Sequence, residues 1–139
     1  MNEVMTPISF GELIDKITIL EIKSERITDQ DKLKNVRHEL SLLSAIWQQH
    51  RDGKIDISQQ WNALREINGK LWTIEDDIRD LERDANFGEE FIALARAVYF
   101  TNDVRAKQKR EINIALGSTV VEEKSYADYS RPGDSSATI

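Results

Sequence analysis

Between Leu64 and Leu81, apolar residues recur at alternating spacings of three and four: Leu64, Ile67, Leu71, Ile74, Ile78 and Leu81. An α-helix brings such a series onto one side, whereas a strand scatters it over both faces. The seam lasts almost three heptads. That length suits packing inside a helical bundle and falls short of a free-standing coiled coil.

The same period occurs three more times, with stop signals between. Ser9, with Glu12 three residues on, forms a capping box that opens the first helix, about residues 10–27. Thr28-Asp29-Gln30-Asp31 breaks it and caps the second, about 29–51, with Leu33, Val36, Leu40, Leu43, Ile46 and Trp47 on a broad face. Asp52-Gly53 ends that helix, and the short link to Ser58 folds the third, about 58–85, back antiparallel. Asn86, with Glu89, caps the fourth, about 87–116, which Gly117-Ser118 closes. The prediction is an all-α fold: an antiparallel bundle of four helices in one domain over 1–129, with 130–139 as a flexible tail. Between bundle and tail, Val120, Val121, Tyr126 and Tyr129 are available to dock on the bundle.

The first helix is apolar on two sides. Phe10, Leu13, Ile14, Ile17 and Leu20 share one face, and Ile19 and Ile22 lie on another. Such a helix is central in its own fold or meets a second chain.

Three helices carry polar groups on their apolar faces. Glu21 falls in line with Phe10, Ile14 and Ile17. Asn68, Glu75 and Arg79 share a face with Trp61, Leu64 and Trp72. The row Phe91, Ala95, Val98, Asn102, Arg105, Lys109, Asn113, Leu116 begins and ends apolar and is polar and basic between. Core-facing polar groups need partners. Glu21, Asn68, Glu75, Arg79, Asn102, Arg105 and Lys109 are therefore the candidate ligand-binding residues. They either satisfy one another as interhelical ion pairs or surround a small anion such as a sugar phosphate or carboxylate.

Other chemistries lack their residues. The chain has no cysteine, which excludes disulfides, thiolate metal sites and cysteine nucleophiles. His38 and His50 are twelve residues apart and do not form a ligand pair, and no phosphate-binding or nucleophile-elbow motif is present. Glu12-x-x-Asp15 and Asp77-x-x-Asp80 invite comparison with the Mg²⁺ motifs of all-helical nucleotide pyrophosphohydrolases, but the E-x-x-E element is missing. No metal and no cofactor are expected. A net charge of −6 argues against nucleic-acid binding. Met1 to Phe10 lacks a basic and apolar leader pattern, and no apolar run approaches a membrane span. The expected address is the cytoplasm.

The segment ISFGELIDKITILEIKSERI, Ile8 to Ile27, resembles the opening signature of an uncharacterised bacterial family, a domain of unknown function. Ile67-Asn68, Leu71-Trp72, Ile74-Glu75-Asp76, Val98-Tyr99, Asn102-Asp103, Arg105-Ala106, Ile112-Asn113 and Glu122 to Tyr126 are similar to the rest of its pattern. The resemblance covers about residues 4–129. It implies a self-contained bacterial helical domain and lends no catalytic residue. The function expected is non-catalytic, through self-association as a homodimer or through a protein partner. Binding, or catalysis, of a small anionic metabolite in a polar interhelical pocket is the alternative.

Overall fold

The computed structural model describes residues 2–133. Four α-helices follow one another with no strand between: α1 Phe10–Arg26, α2 Gln30–Gln49, α3 Ser58–Arg83 and α4 Glu89–Leu116. A four-residue 3-10 turn, Arg51–Lys54, links α2 to α3. This is the expected all-α bundle. Residues 134–139, most of the expected tail, lie outside the described part.

Local signals explain most helix ends. The Ser9 hydroxyl accepts from the Glu12 N–H (3.1 Å) and Asp29 from the Lys32 N–H (3.0 Å), each supplying a partner to an orphan donor of a first turn. Gly117 takes the left-handed conformation (φ +63°) that stops α4. One start differs from expectation. Asn86 does not cap α4; its side chain accepts from the Gly88 N–H (3.3 Å), and the helix begins at Glu89. The turn passes through Ala85 at φ +51°, and a tight Asx turn takes the Asn86 oxygen before any helical N–H can reach it.

The two-sided helix is the central one. α1 packs against α2, α3 and α4. Gly11 lies against Lys109 and Asn113, Asp15 against Asn68 and Arg105, and Arg26 against Thr73. α1 therefore runs antiparallel to α4 and parallel to α3. Its apolar side closes the core: Ile14, Ile17, Leu64 and Ile112 are almost fully buried, with Leu13, Trp47, Ile57 and Leu116 around them. The rings of Phe10, Trp47 and Trp61 meet edge-on or tilted and seal one end.

The helices are unequal. α1 ends at Arg26 beside Thr73, while α3 runs ten residues further to Arg83 and returns through α4. This leaves a two-helix arm about 15 Å long. No residue from Glu75 to Phe100 is fully buried. The heptad seam of α3 faces α4, but on the arm Ile78 and Leu81 remain half-buried because no third helix covers them.

After Gly117 the chain turns back along α4 without regular secondary structure. Glu122 reaches Lys109, Glu123 reaches Arg110, and Tyr129 packs its ring on Tyr99 and Phe100. Of the four residues offered for docking, Tyr129 docks in this way, whereas Tyr126 stays 82% exposed.

Candidate functional site

The face of α1 that carries Gly11, Asp15, Thr18 and Ile22 meets α3 and α4. Gly11 allows a close approach: a Cβ there would stand 2.3 Å from the Lys109 carbonyl oxygen. At that crossing the Gly11 N–H donates to the Asn113 side chain (2.7 Å). One turn further along α1, the tight contact brings the Asp15 carboxylate between α3 and α4.

Asp15 is 1% exposed. One of its oxygens accepts from Arg105 Nε (2.9 Å) and from Asn68 Nδ2 (3.0 Å). The other accepts from Arg105 Nη2, which completes a fork. The Asn68 amide also donates to the Thr18 hydroxyl (3.1 Å), which donates in turn to the Asp15 carbonyl (2.9 Å). One turn along α4 from Arg105, on the same α1-facing side, Lys109 Nζ donates to Glu12 (2.7 Å) and to Glu122 (3.2 Å). Every buried side-chain nitrogen and oxygen among the described residues has a hydrogen-bond partner.

The electrostatics follow from this pairing. Arg105 is held above the usual arginine range, first by its hydrogen bonds to Asp15, against the opposing pull of burial. Burial works against the Lys109 ammonium. The bonds to Glu12 and Glu122 and the Asp15 charge outweigh it, so Lys109 also lies above its ordinary value. Three carboxylates thus face two cations, and the cations are already engaged. Beside Lys109, Asn113 and Glu122 there is a void of about 20 Å³, the room of a single water.

Of the seven candidate residues, Asn68, Arg105 and Lys109 come together in this cluster. Asn102 is half-buried one turn before Arg105. Glu21 lies elsewhere on α1, where its carboxylate accepts from the Trp61 indole N–H (3.1 Å). Glu75 and Arg79 pair with each other on the surface of the arm. Glu12, Asp15, Thr18 and Glu122, which complete the cluster, were not among the seven. The row Gly11, Asp15, Thr18 carried a signal for Asp15: a small residue and two short polar ones, spaced by four and three, on a helix otherwise rich in isoleucine and leucine.

The larger open space is a groove of about 530 Å³ between the C-terminal half of α1 and α3. Arg26, Arg65, Lys70, Glu25, Glu66 and Thr73 border it. Arg65 is tied to Glu25, whereas Arg26 rests over the Trp72 ring and donates to Thr73 (3.4 Å).

Among the described residues no group of three acidic or histidine side chains is placed to hold a metal ion, and no helix is long and apolar enough to cross a membrane. Compared with the curated proteins and with the solved structures, the chain has no match. A family model does match it, over residues 4–138, and by that match the chain belongs to the family of unknown function DUF6165.

Proposed function

We propose that this chain is a non-catalytic, cytoplasmic bacterial protein that acts by self-association through its α3–α4 arm. The observation that carries the reading is the arm's apolar surface. Phe87, Ile92, Tyr99 and Phe100 are each at least 40% exposed on α4 and the turn before it, on the tip side of the Arg105 contact with α1. An apolar face covered only in part, by the Tyr129 ring of an irregular segment, favours a docking role. The cluster around Asp15 supports a structural rather than a catalytic use of the interior, because its donors and acceptors are matched. Sedimentation equilibrium over a range of concentrations tests the reading. A dimer is expected at micromolar concentration, and a monomer at high micromolar concentration refutes self-association.

A second reading rests on the groove between α1 and α3. Neither Arg26 nor Lys70 has an ion-pair partner among the described residues, and both border open space. A small phosphate or carboxylate ligand fits that chemistry. Thermal-shift measurements with phosphorylated and carboxylated metabolites, repeated on Arg26→Ala, test it. No stabilisation by any of them refutes it.

A further inference from the structure

The outward side of α4 has a spacing that reads the same in both directions. Glu89, Ile92, Arg96, Tyr99, Phe100, Asp103, Lys107 and Arg110 lie within about 50° of one mean direction on the helix. All are exposed except Asp103, which is half-buried. Counted from the midpoint between Tyr99 and Phe100, the steps outward are the same on both sides. Glu89 mirrors Arg110, Ile92 mirrors Lys107, Arg96 mirrors Asp103, and Tyr99 mirrors Phe100. In a two-fold contact, residue i meets residue j and j meets i. A helix face with this order is complementary to its own antiparallel copy in its charged pairs and its aromatic centre, and Ile92 meets the methylene stem of Lys107. The wider charge distribution agrees: residues 75–90 carry eight carboxylates against two arginines, and residues 96–110 carry five cations against Asp103 alone.

We infer that the partner on this surface is a second copy of the chain. The two α4 helices cross antiparallel about Tyr99 and Phe100, with Glu89 against Arg110 and Arg96 against Asp103. This inference rests on the self-association reading and gives it an interface.

The single chain already holds a substitute for two of those partner groups, Glu89 and Arg96, and for the aromatic contact. Glu123 pairs with Arg110 (3.4 Å), where the other copy would bring Glu89. The Tyr129 hydroxyl donates to Asp103, where the other copy would bring Arg96. The Tyr129 ring covers the aromatic centre. No backbone hydrogen bond of residues 119–129 ties this segment to a helix. It is held by side chains, so a second copy displaces it without breaking a backbone ladder. The segment is therefore a competitor in cis.

Sedimentation velocity on the full chain and its full-length variants tests this. Arg96→Asp and Asp103→Arg each set like charges opposite one another on both sides of the axis, and each weakens self-association by about tenfold or more. Mixing the two variants restores it, because every mixed pair again joins a carboxylate to a guanidinium. That restoration also shows that both variants fold. Tyr129→Ala removes the ring and hydroxyl with which the segment competes at the axis, and tightens association several-fold. If both charge variants associate as the parent does, another surface is used, and this inference falls while the broader reading stands. If Tyr129→Ala weakens association, the segment belongs to the interface and the competition is refuted. If the parent chain and Tyr129→Ala both remain monomers at high micromolar concentration, self-association itself falls.

Discussion

Asp15 and Arg105 are partners with unequal means of escape. The carboxylate is 1% exposed and has no route to water, while the guanidinium side chain keeps 29% of its surface open. Removing the cation therefore strands a buried charge, whereas removing the carboxylate leaves an arginine that can swing outward. Breaking a fully buried pair costs about 3–5 kcal/mol, and the partial exposure of Arg105 reduces that. Arg105→Met is expected to lower the unfolding free energy by about 2–4 kcal/mol and Asp15→Asn by about 1–2 kcal/mol. Urea titration of both variants measures the difference, and equal costs would show that both groups reach solvent. Lys109 yields a pH prediction. Its folded value lies above the ordinary lysine value of 10.5, so the unfolded chain releases that proton first as pH rises. The stability it contributes is complete below about pH 10.5 and is lost as pH climbs through the higher folded value. Lys109→Met, melted alongside the parent across the alkaline range, is expected to lack that part of the decline.

Two glycines inside helices show how an element's surroundings overrule its propensity. Alanine is favoured over glycine in a helix by about 1 kcal/mol. At Gly69 the added methyl would meet only the far end of Arg26 at 3.6 Å and an Ile22 methyl at 4.0 Å, so the propensity gain stands. At Gly11 it would strike the Lys109 backbone, which no rotamer change relieves. Gly69→Ala is expected to stabilise by about 0.5–1 kcal/mol and Gly11→Ala to destabilise by about 2 kcal/mol, both read as shifts in the denaturation midpoint. The same contrast explains what the sequence discloses. The Ser9 cap, the Gly117 stop and the Leu64–Leu81 seam are local in the chain, and each appears in the fold as read. Asp15 is different. Its role depends on α3 and α4 crossing α1 where Gly11 lets them approach, and that crossing is a tertiary fact. The apolar direction of α1, taken from Phe10, Ile14 and Ile17, points at α2 and the core and drew attention to Glu21. The second buried face, which holds Asp15 and Thr18, becomes apparent only once α1 is known to be surrounded on three sides. Glu75 and Arg79 shared the periodicity of a core face, but the arm outruns the helix that would have covered them.

At the scale of the molecule the charges are segregated along one long hairpin, acidic at the tip and basic toward the C-terminal half of α4. Within one chain these regions cannot meet, because α4 is a continuous helix that holds Glu89 and Arg110 about 30 Å apart. Two chains in antiparallel contact do bring them together. The pairs Glu89–Arg110 and Arg96–Asp103, exposed apart from the half-buried Asp103, then occur twice each, and each contributes about 0.2–1 kcal/mol at low ionic strength. The apolar centre of Tyr99 and Phe100 does not depend on salt in this way. Raising the salt shortens the screening length from about 10 Å at 0.1 M to about 3 Å at 1 M, which removes most of the charge contribution and leaves the centre. Self-association is therefore expected to weaken by about tenfold over that range and then level off. The intramolecular pair Glu123–Arg110 is screened as well, so the competing segment loosens in parallel and limits the loss. In Glu123→Gln, which removes that ion pair and with it the compensation, the salt dependence is expected to be steeper than in the parent. Sedimentation velocity at stepped salt concentrations measures both slopes, and parallel slopes would mean that the segment does not share the surface with the second copy.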